Sequence, residues 1–416
     1  MLKTLLAGLL LAIAWLVFVA YAAFEGAWMR PVAPSGDSEA FFQHASRSLK
    51  TSNPGATSLL MIEDGVIVAE FHDDPKGAVD GDTVFAAASV SKWMTAYAMM
   101  TLIADGKADL DTPVNDYLSR WHLPADARNE GVTIRRLLSH TAGLNDGLGF
   151  GEYGADETLP LLEDELTEPR TSSGRPAKIA VMEEPGTEWK YSGGGYLLLE
   201  LLVEEISGQT FQGYTEAAVY RPLGMARTGY DLIDSYDNSA GVRDAGGTRI
   251  AGYRYASSAA TALVTSSSDL AKFIQAHIGT GITNRPLSRE YARSMRAPHG
   301  RRAGFDIWGL GTILYAPTEG GDFIFGHDGA NEPGINAAVR INPENRNAVV
   351  ILVSGHPTLA TNIGSDWVFW QSGYPDLFAT DAVLSSMLTP GLAGALGIAG
   401  LTLLLGVAWQ ALMDSP

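Results

Sequence analysis

The chain has 416 residues, 46% of them hydrophobic, with 46 glycines and 20 prolines. That composition is globular and excludes a disordered chain; the length fits one large domain or a domain with an insertion. A net charge of −18 excludes the basic surface that nucleic-acid binding needs, and the lack of cysteine excludes disulfides, thiolate zinc sites and a cysteine nucleophile.

The first element is the uncharged run "LLAGLLLAIAWLVFVAYAAF", Leu5 to Phe24. About 20 apolar residues cross a bilayer as a helix, so residues 1–24 read as a membrane anchor. A signal peptide is the rival, because "AYA" at 20–22 resembles a small-residue cleavage site. Residues 36–56 are small and polar and read as a lead-in. Two β-branched runs around Asp64-Gly65 predict a hairpin. "VFAAASVSKWMTAYAMMTLIA", residues 84–104, is an oily segment with a helix stop at Asp105-Gly106. "VTIRRLLSHTAGL" predicts a short helix entering a glycine loop, and residues 145–190 predict irregular structure with one acidic helix bordering the pocket. An amphipathic helix is predicted over 193–208, and a serine-capped one over 266–278.

Strands follow: "GLGTILYAP", "GDFIFGHDG", "INAAVRI" and "NAVVILVSG", with a hairpin at 342–346 and a helix near 359–371. Strands early and late with helices between them predict an α/β (α+β) architecture, an antiparallel sheet from both chain ends flanked by helices, with a mostly helical insertion. The predicted domain spans 36–378. Residues 388–413 form a second uncharged run, with Gly391, Ala395 and Ala399 repeating every four residues as a face suited to helix pairing or a homo-oligomer. The terminal helices would contact membrane lipid, and Lys3 orients both ends to the cytoplasm.

The lone charge of the oily segment is Lys92, with Ser89 three residues before it. On a helix these share a face. Taking an amine out of water favours its neutral form, and a neutral amine can take a serine's proton. A helix N-terminus adds N–H groups that stabilise developing negative charge. The bland alternatives are a lysine snorkelling from a helix end and a chance match to a short pattern.

Two further segments join this pair. "WKYSGGGY" sets Tyr191 and Ser192 before a glycine turn and a helix, and "FGHDGANEPG" sets His327 at the end of an apolar strand. Ser89-Val90-Ser91-Lys92, Tyr191-Ser192-Gly193 and His327-Asp328-Gly329 resemble, in order and spacing, the three motifs of the serine β-lactamase and penicillin-binding-protein-like superfamily. The branch holding class C β-lactamases, DD-peptidases and esterases is the most similar, over about residues 40–372. The resemblance implies that Ser89 is the nucleophile, Lys92 a general base or proton relay, and Tyr191 the group that delivers the proton to the leaving group. It implies an oxyanion hole of the Ser89 and Ala330 N–H groups, with His327, Gly329 and Gly193 binding substrate.

Two positions depart from the pattern. Gly193 stands where β-lactamases often carry asparagine, and His327 where they often carry lysine. Without that amide, and without a dependable positive charge at neutral pH, peptidase or esterase chemistry fits better than β-lactam hydrolysis. A true β-lactamase and a catalytically inactive binding protein remain as alternatives. The adjacent Ser139 and His140 read as structural rather than as a dyad. Nothing resembles a zinc or nucleotide motif, so no metal or cofactor is expected. The expectation is a membrane-anchored serine hydrolase acting on small-molecule or peptide substrates, its catalytic domain periplasmic or extracellular.

Overall fold

Strands from both chain ends build one antiparallel sheet. The computed structural model describes residues 2–147, 149–279, 281, 284–378 and 380–413. Helices α1 (Leu2–Phe24) and α2 (Ser38–Ser52) precede a hairpin of β1 (Ala56–Glu63) and β2 (Val66–Asp73). Asp64 and Gly65 turn it with φ of 48° and 79°, the left-handed backbone that Asp-Gly tolerates. Strand β3 (Phe85–Ala88) leads into α3 (Val90–Ala104). Helix α4 (Gly193–Ser207), strand β4 (Leu263–Thr265) and helix α5 (Ser267–Ile278) follow. Then come β5 (Gly300–Arg302), β6 (Phe305–Trp308), β7 (Ile313–Pro317), β8 (Phe323–Asn331), β9 (Ile335–Asn342) and β10 (Asn347–Ser354). Helices α6 (Leu359–Ser372) and α7 (Thr380–Met413) end the chain. The eight-stranded sheet runs β2-β1-β10-β9-β8-β7-β6-β5.

Alternate residues of the central strands feed two different cores. Ala348, Val350 and Leu352 of β10 pack with the helical layer that holds α3 and α4. Val349, Ile351 and Val353 pack with α2 and α6 on the other face. Burial on both faces is why these strands read as continuous apolar runs rather than alternating ones.

Two expectations need correction. The segment read as a polar lead-in holds α2, capped by Asp37, whose carboxylate accepts from the Ala40 N–H. Phe41, Ala45 and Leu49 recur every four residues and bury one stripe of it. Within the oily segment, Phe85–Ala88 is a strand paired with β4, and α3 starts at Val90. The predicted amphipathic helix α4 is buried on every face from Gly193 to Val203.

Lys3–Phe24 and Val383–Trp409 are long and apolar enough to cross a membrane. Only 11% of the most apolar stretch of the second is buried, which argues against a soluble core helix. The two helices pack on each other: Trp15 Nε1 donates to the Pro390 carbonyl at 3.0 Å, and Trp15 lies against Gly394. Gly391 of the small-residue row faces Leu16 and Val19 of α1, while Ala399 is exposed. The packed face therefore includes Gly391, Gly394 and Thr402, and its partner is α1 of the same chain.

Candidate active site

Strand β3 stops at Ala88, which takes φ of 44°, a conformation that costs energy for any residue with a Cβ. This sharp turn presents Ser89 as the N-cap of α3. Ser91, the other serine of the motif, is fully engaged: it donates to the Ala88 carbonyl at 2.6 Å and accepts from the Leu263 N–H at 2.9 Å. It pins the turn and is not free to react.

Lys92 is 2% exposed. Its Nζ donates to the Ala260 carbonyl at 2.7 Å and lies 3.4 Å from Ser89 Oγ. The second contact is long for a hydrogen bond, a common state for a catalytic pair without substrate. The same amine sits 5.0 Å from the ring centre of Tyr191 and 5.5 Å from that of Tyr196. Lys92 thus stands between the hydroxyl of Ser89 and the ring of Tyr191.

Tyr191 precedes α4 and stays partly open to solvent. Ser192 caps α4, accepting from the Gly195 N–H at 2.8 Å while donating to Asp146. Gly194 allows this approach, since a Cβ there would meet Ile179 at 2.7 Å and Asp146 at 2.9 Å. His140 buttresses the loop: its Nδ1 accepts from the Ser192 N–H at 3.1 Å, and its ring lies 4.5 Å from that of Tyr191. Burial above all holds His140 well below the usual histidine range, so it is a neutral acceptor. Ser139 donates instead to the Arg135 carbonyl at 2.8 Å and bonds Thr141. The Ser139–His140 pair is structural, as the sequence suggests.

His327 is 1% exposed beneath Trp308, their ring centres 5.5 Å apart. Burial above all pushes it down to about 3, so the imidazole carries no charge at neutral pH. Its neighbour Asp328 is tied to the fully buried Arg340, which also reaches Asp376 at 3.5 Å. That pairing anchors the end of β8. The β7 partner of β8 stops at Gly326, while β9 continues to Asn331, so one edge of residues 327–331 is paired with no strand among the described residues. Gly329 brings this segment against the β3–α3 turn: a Cβ on it would lie 2.0 Å from the Ala87 carbonyl oxygen and 3.2 Å from Ser89 N. The structure therefore gathers Ser89, Lys92, Tyr191, His327 and Gly329. Gly193 lies at the first turn of α4 and Ala330 follows Gly329 on β8.

The domain also holds a cavity of about 1040 Å³ that none of Ser89, Lys92, Tyr191, His327 and Gly329 lines. It is lined by Tyr255, Thr261, Leu263 and Asn331, and by Ala155 and Leu159 from the acidic region. Sequence reasoning missed Glu200, a buried acid on α4; an acid among leucines, one turn beyond Tyr196, was the available signal.

A beta-lactamase family model matches residues 41–366. The chain belongs to the beta-lactamase family. The esterase EstB of Burkholderia gladioli is 35% identical over 159 residues, 36% of this chain and 39% of the relative. Penicillin-binding protein 4* of Bacillus subtilis is 31% identical over 147 residues, 35% of this chain and 30% of the relative. The chain therefore spans well under half the length of these two curated relatives. Among solved structures, the octameric penicillin-binding protein homologue of Pyrococcus abyssi superposes with a TM-score of 0.62 at 23% identity, over 79% of this chain and 76% of its own. The beta-lactamase/D-alanine carboxypeptidase of Pseudomonas syringae gives 0.62 at 18% identity, over 79% of this chain and 97% of its own. At those identities the likeness establishes the fold, a mixed α/β architecture with an antiparallel sheet.

Proposed function

We propose that this member of the family is a membrane-anchored serine hydrolase that acts through an acyl-enzyme on an ester or amide. The observation that carries the reading is Lys92, buried, gripped by the Ala260 carbonyl at 2.7 Å and 3.4 Å from Ser89 Oγ. Ser89 attacks the substrate carbonyl while Lys92 takes its proton. The carbonyl carbon gains a bond to Oγ, and its oxygen becomes an anion held by the N–H groups of Ser89 and Ala330. Tyr191, beside the amine, passes the proton to the leaving alcohol or amine. Water then attacks the acyl-enzyme by the reverse proton route, releasing the acid and restoring Ser89. The open edge of β8, with His327 and Gly329, and the start of α4 at Gly193 line the substrate's path.

Esterase or peptidase chemistry is favoured over β-lactam hydrolysis. His327 is neutral and offers no charge to a β-lactam carboxylate, and Gly193 has no side-chain amide. The similarity to an esterase and a penicillin-binding protein supports the same choice. The two apolar terminal helices support a pair of membrane spans, with the domain at 36–378 on the periplasmic or outer side. A fluorophosphonate or fluorescent penicillin tests the chemistry: the wild type should be labelled and Ser89→Ala should not, and equal labelling of both would reject the assignment.

A further inference from the structure

We propose that Glu200 is a positioning residue for this reaction, because it holds the turn Ser257–Ala260 whose last carbonyl grips the Lys92 amine. The proposal rests on the hydrolase reading above and adds a group outside its three motifs. Glu200 lies on α4 and is 4% exposed. Its Oε2 accepts from Ser257 Oγ at 3.1 Å and from the Ala259 N–H at 3.0 Å. Ser257 Oγ in turn accepts from the Ala260 N–H at 3.2 Å. The far side of the turn meets α3: the Ala259 carbonyl accepts from Thr95 at 2.9 Å, and the Ala260 carbonyl from Lys92 at 2.7 Å. The turn is therefore clamped between an acid on α4 and the lysine on α3.

Packing alone does not call for an acid here. Its helix neighbours Leu197, Leu198, Leu199, Leu201 and Leu202 are all buried apolar groups, and burying a carboxyl is costly unless it is hydrogen-bonded. Burial pushes the Glu200 carboxyl up to about 8, so at neutral pH it is uncharged and its carbonyl oxygen does the accepting. A neutral acid holds the turn without bringing a negative charge toward the amine, which would favour the ammonium. The titratable groups that face Glu200 are Glu204 on its own helix and Tyr230, whose phenol it helps push up; Lys92 on α3 is reached through Ala260. Arg135 and Arg136, from the neighbouring short helix Ile134–Leu138, bind Asp111 and the Gly131 carbonyl instead. Tyr214 is bonded to Thr101, and Glu165 accepts from Tyr153.

The test uses the full chain in detergent, with p-nitrophenyl acetate as substrate and fluorophosphonate to count active sites. Glu200→Gln keeps a neutral acceptor and should stay within about threefold of wild-type kcat at pH 7. Glu200→Ala should lower kcat per active site by roughly 10- to 100-fold with KM little changed, as expected for a displaced catalytic amine. Wild-type kcat should fall through an inflection near pH 8 that Glu200→Gln lacks. If Glu200→Ala does not fold, the pH profile of Glu200→Gln decides alone. A folded Glu200→Ala with wild-type kcat, or a Gln variant with the wild-type alkaline limb, overturns the proposal. A wild type that neither turns over nor labels at Ser89 fails differently: it removes the hydrolase reading itself.

Discussion

Adding one methyl group at Gly329 should separate the two halves of the site. The Cβ of Gly329→Ala would lie 2.0 Å from the Ala87 carbonyl oxygen, where ordinary contact begins at 3.4 Å. The end of β8 and the β3–α3 turn must therefore part by about 3.4 − 2.0 = 1.4 Å. Both partners are backbone, so no side chain can swing aside. Overpacking of this kind costs about 1–3 kcal/mol. A displacement near 1 Å between reacting groups costs roughly 100-fold in rate. The expected outcome is a folded protein with a Tm lower by several degrees and kcat/KM for p-nitrophenyl acetate reduced about 100-fold. Calorimetry and initial rates, normalised to fluorophosphonate-titratable sites, measure both. A variant with wild-type kcat/KM would show that β8 does not border the reacting bond, and the proposed role of Gly329 and Ala330 would fall.

Lys92→Met should lower the acylation rate by about 10²- to 10⁴-fold, the usual contribution of a general base, while leaving the Ala260 carbonyl without its partner; stopped-flow acylation with near-wild-type rates would contradict the assignment. His277 lies among Trp93, Tyr97, Phe273 and Phe325 with its pKa pushed down to about 3 by burial. Between pH 3 and the ordinary histidine range of about 6.5 the unfolded chain binds more protons there, so this contribution to stability is lost as pH falls. His277→Leu should therefore narrow the stability gap between pH 4 and pH 7 in urea melts, and an unchanged gap would refute this. Removing residues 1–24 together with 383–416 should release the domain from the membrane fraction into carbonate wash, whereas full release of the intact chain would refute the two-span reading.

The Ser89–Lys92 pair was legible because a charge inside an apolar run has few inexpensive explanations, and three residues is a helical spacing. Lys92 does sit one turn into α3, but the strand that ends at Ala88 was hidden inside the same oily run. Small residues such as those of Phe85–Ala88 carry no period that separates strand from helix, so only pairing with β4 decides it. Helix α2 was missed for the opposite reason: its buried stripe of Phe41, Ala45 and Leu49 is diluted by serines, threonine and charge. Glu200 could be flagged as an acid among leucines. Its attachment to Ser257 and Ala259, nearly sixty residues away, is a product of the fold. His140 was rightly set aside as half of a dyad, yet its contact with the Ser192 N–H is what braces Tyr191.

The central claim is a covalent bond at Ser89. Intact-protein and peptide mass spectrometry after brief exposure to an activated ester should find one acyl group, located on Ser89 and lost in Ser89→Ala. An unmodified wild type, or an acyl group on Ser91, Ser139 or Ser192 with Ser89 bare, would contradict the account.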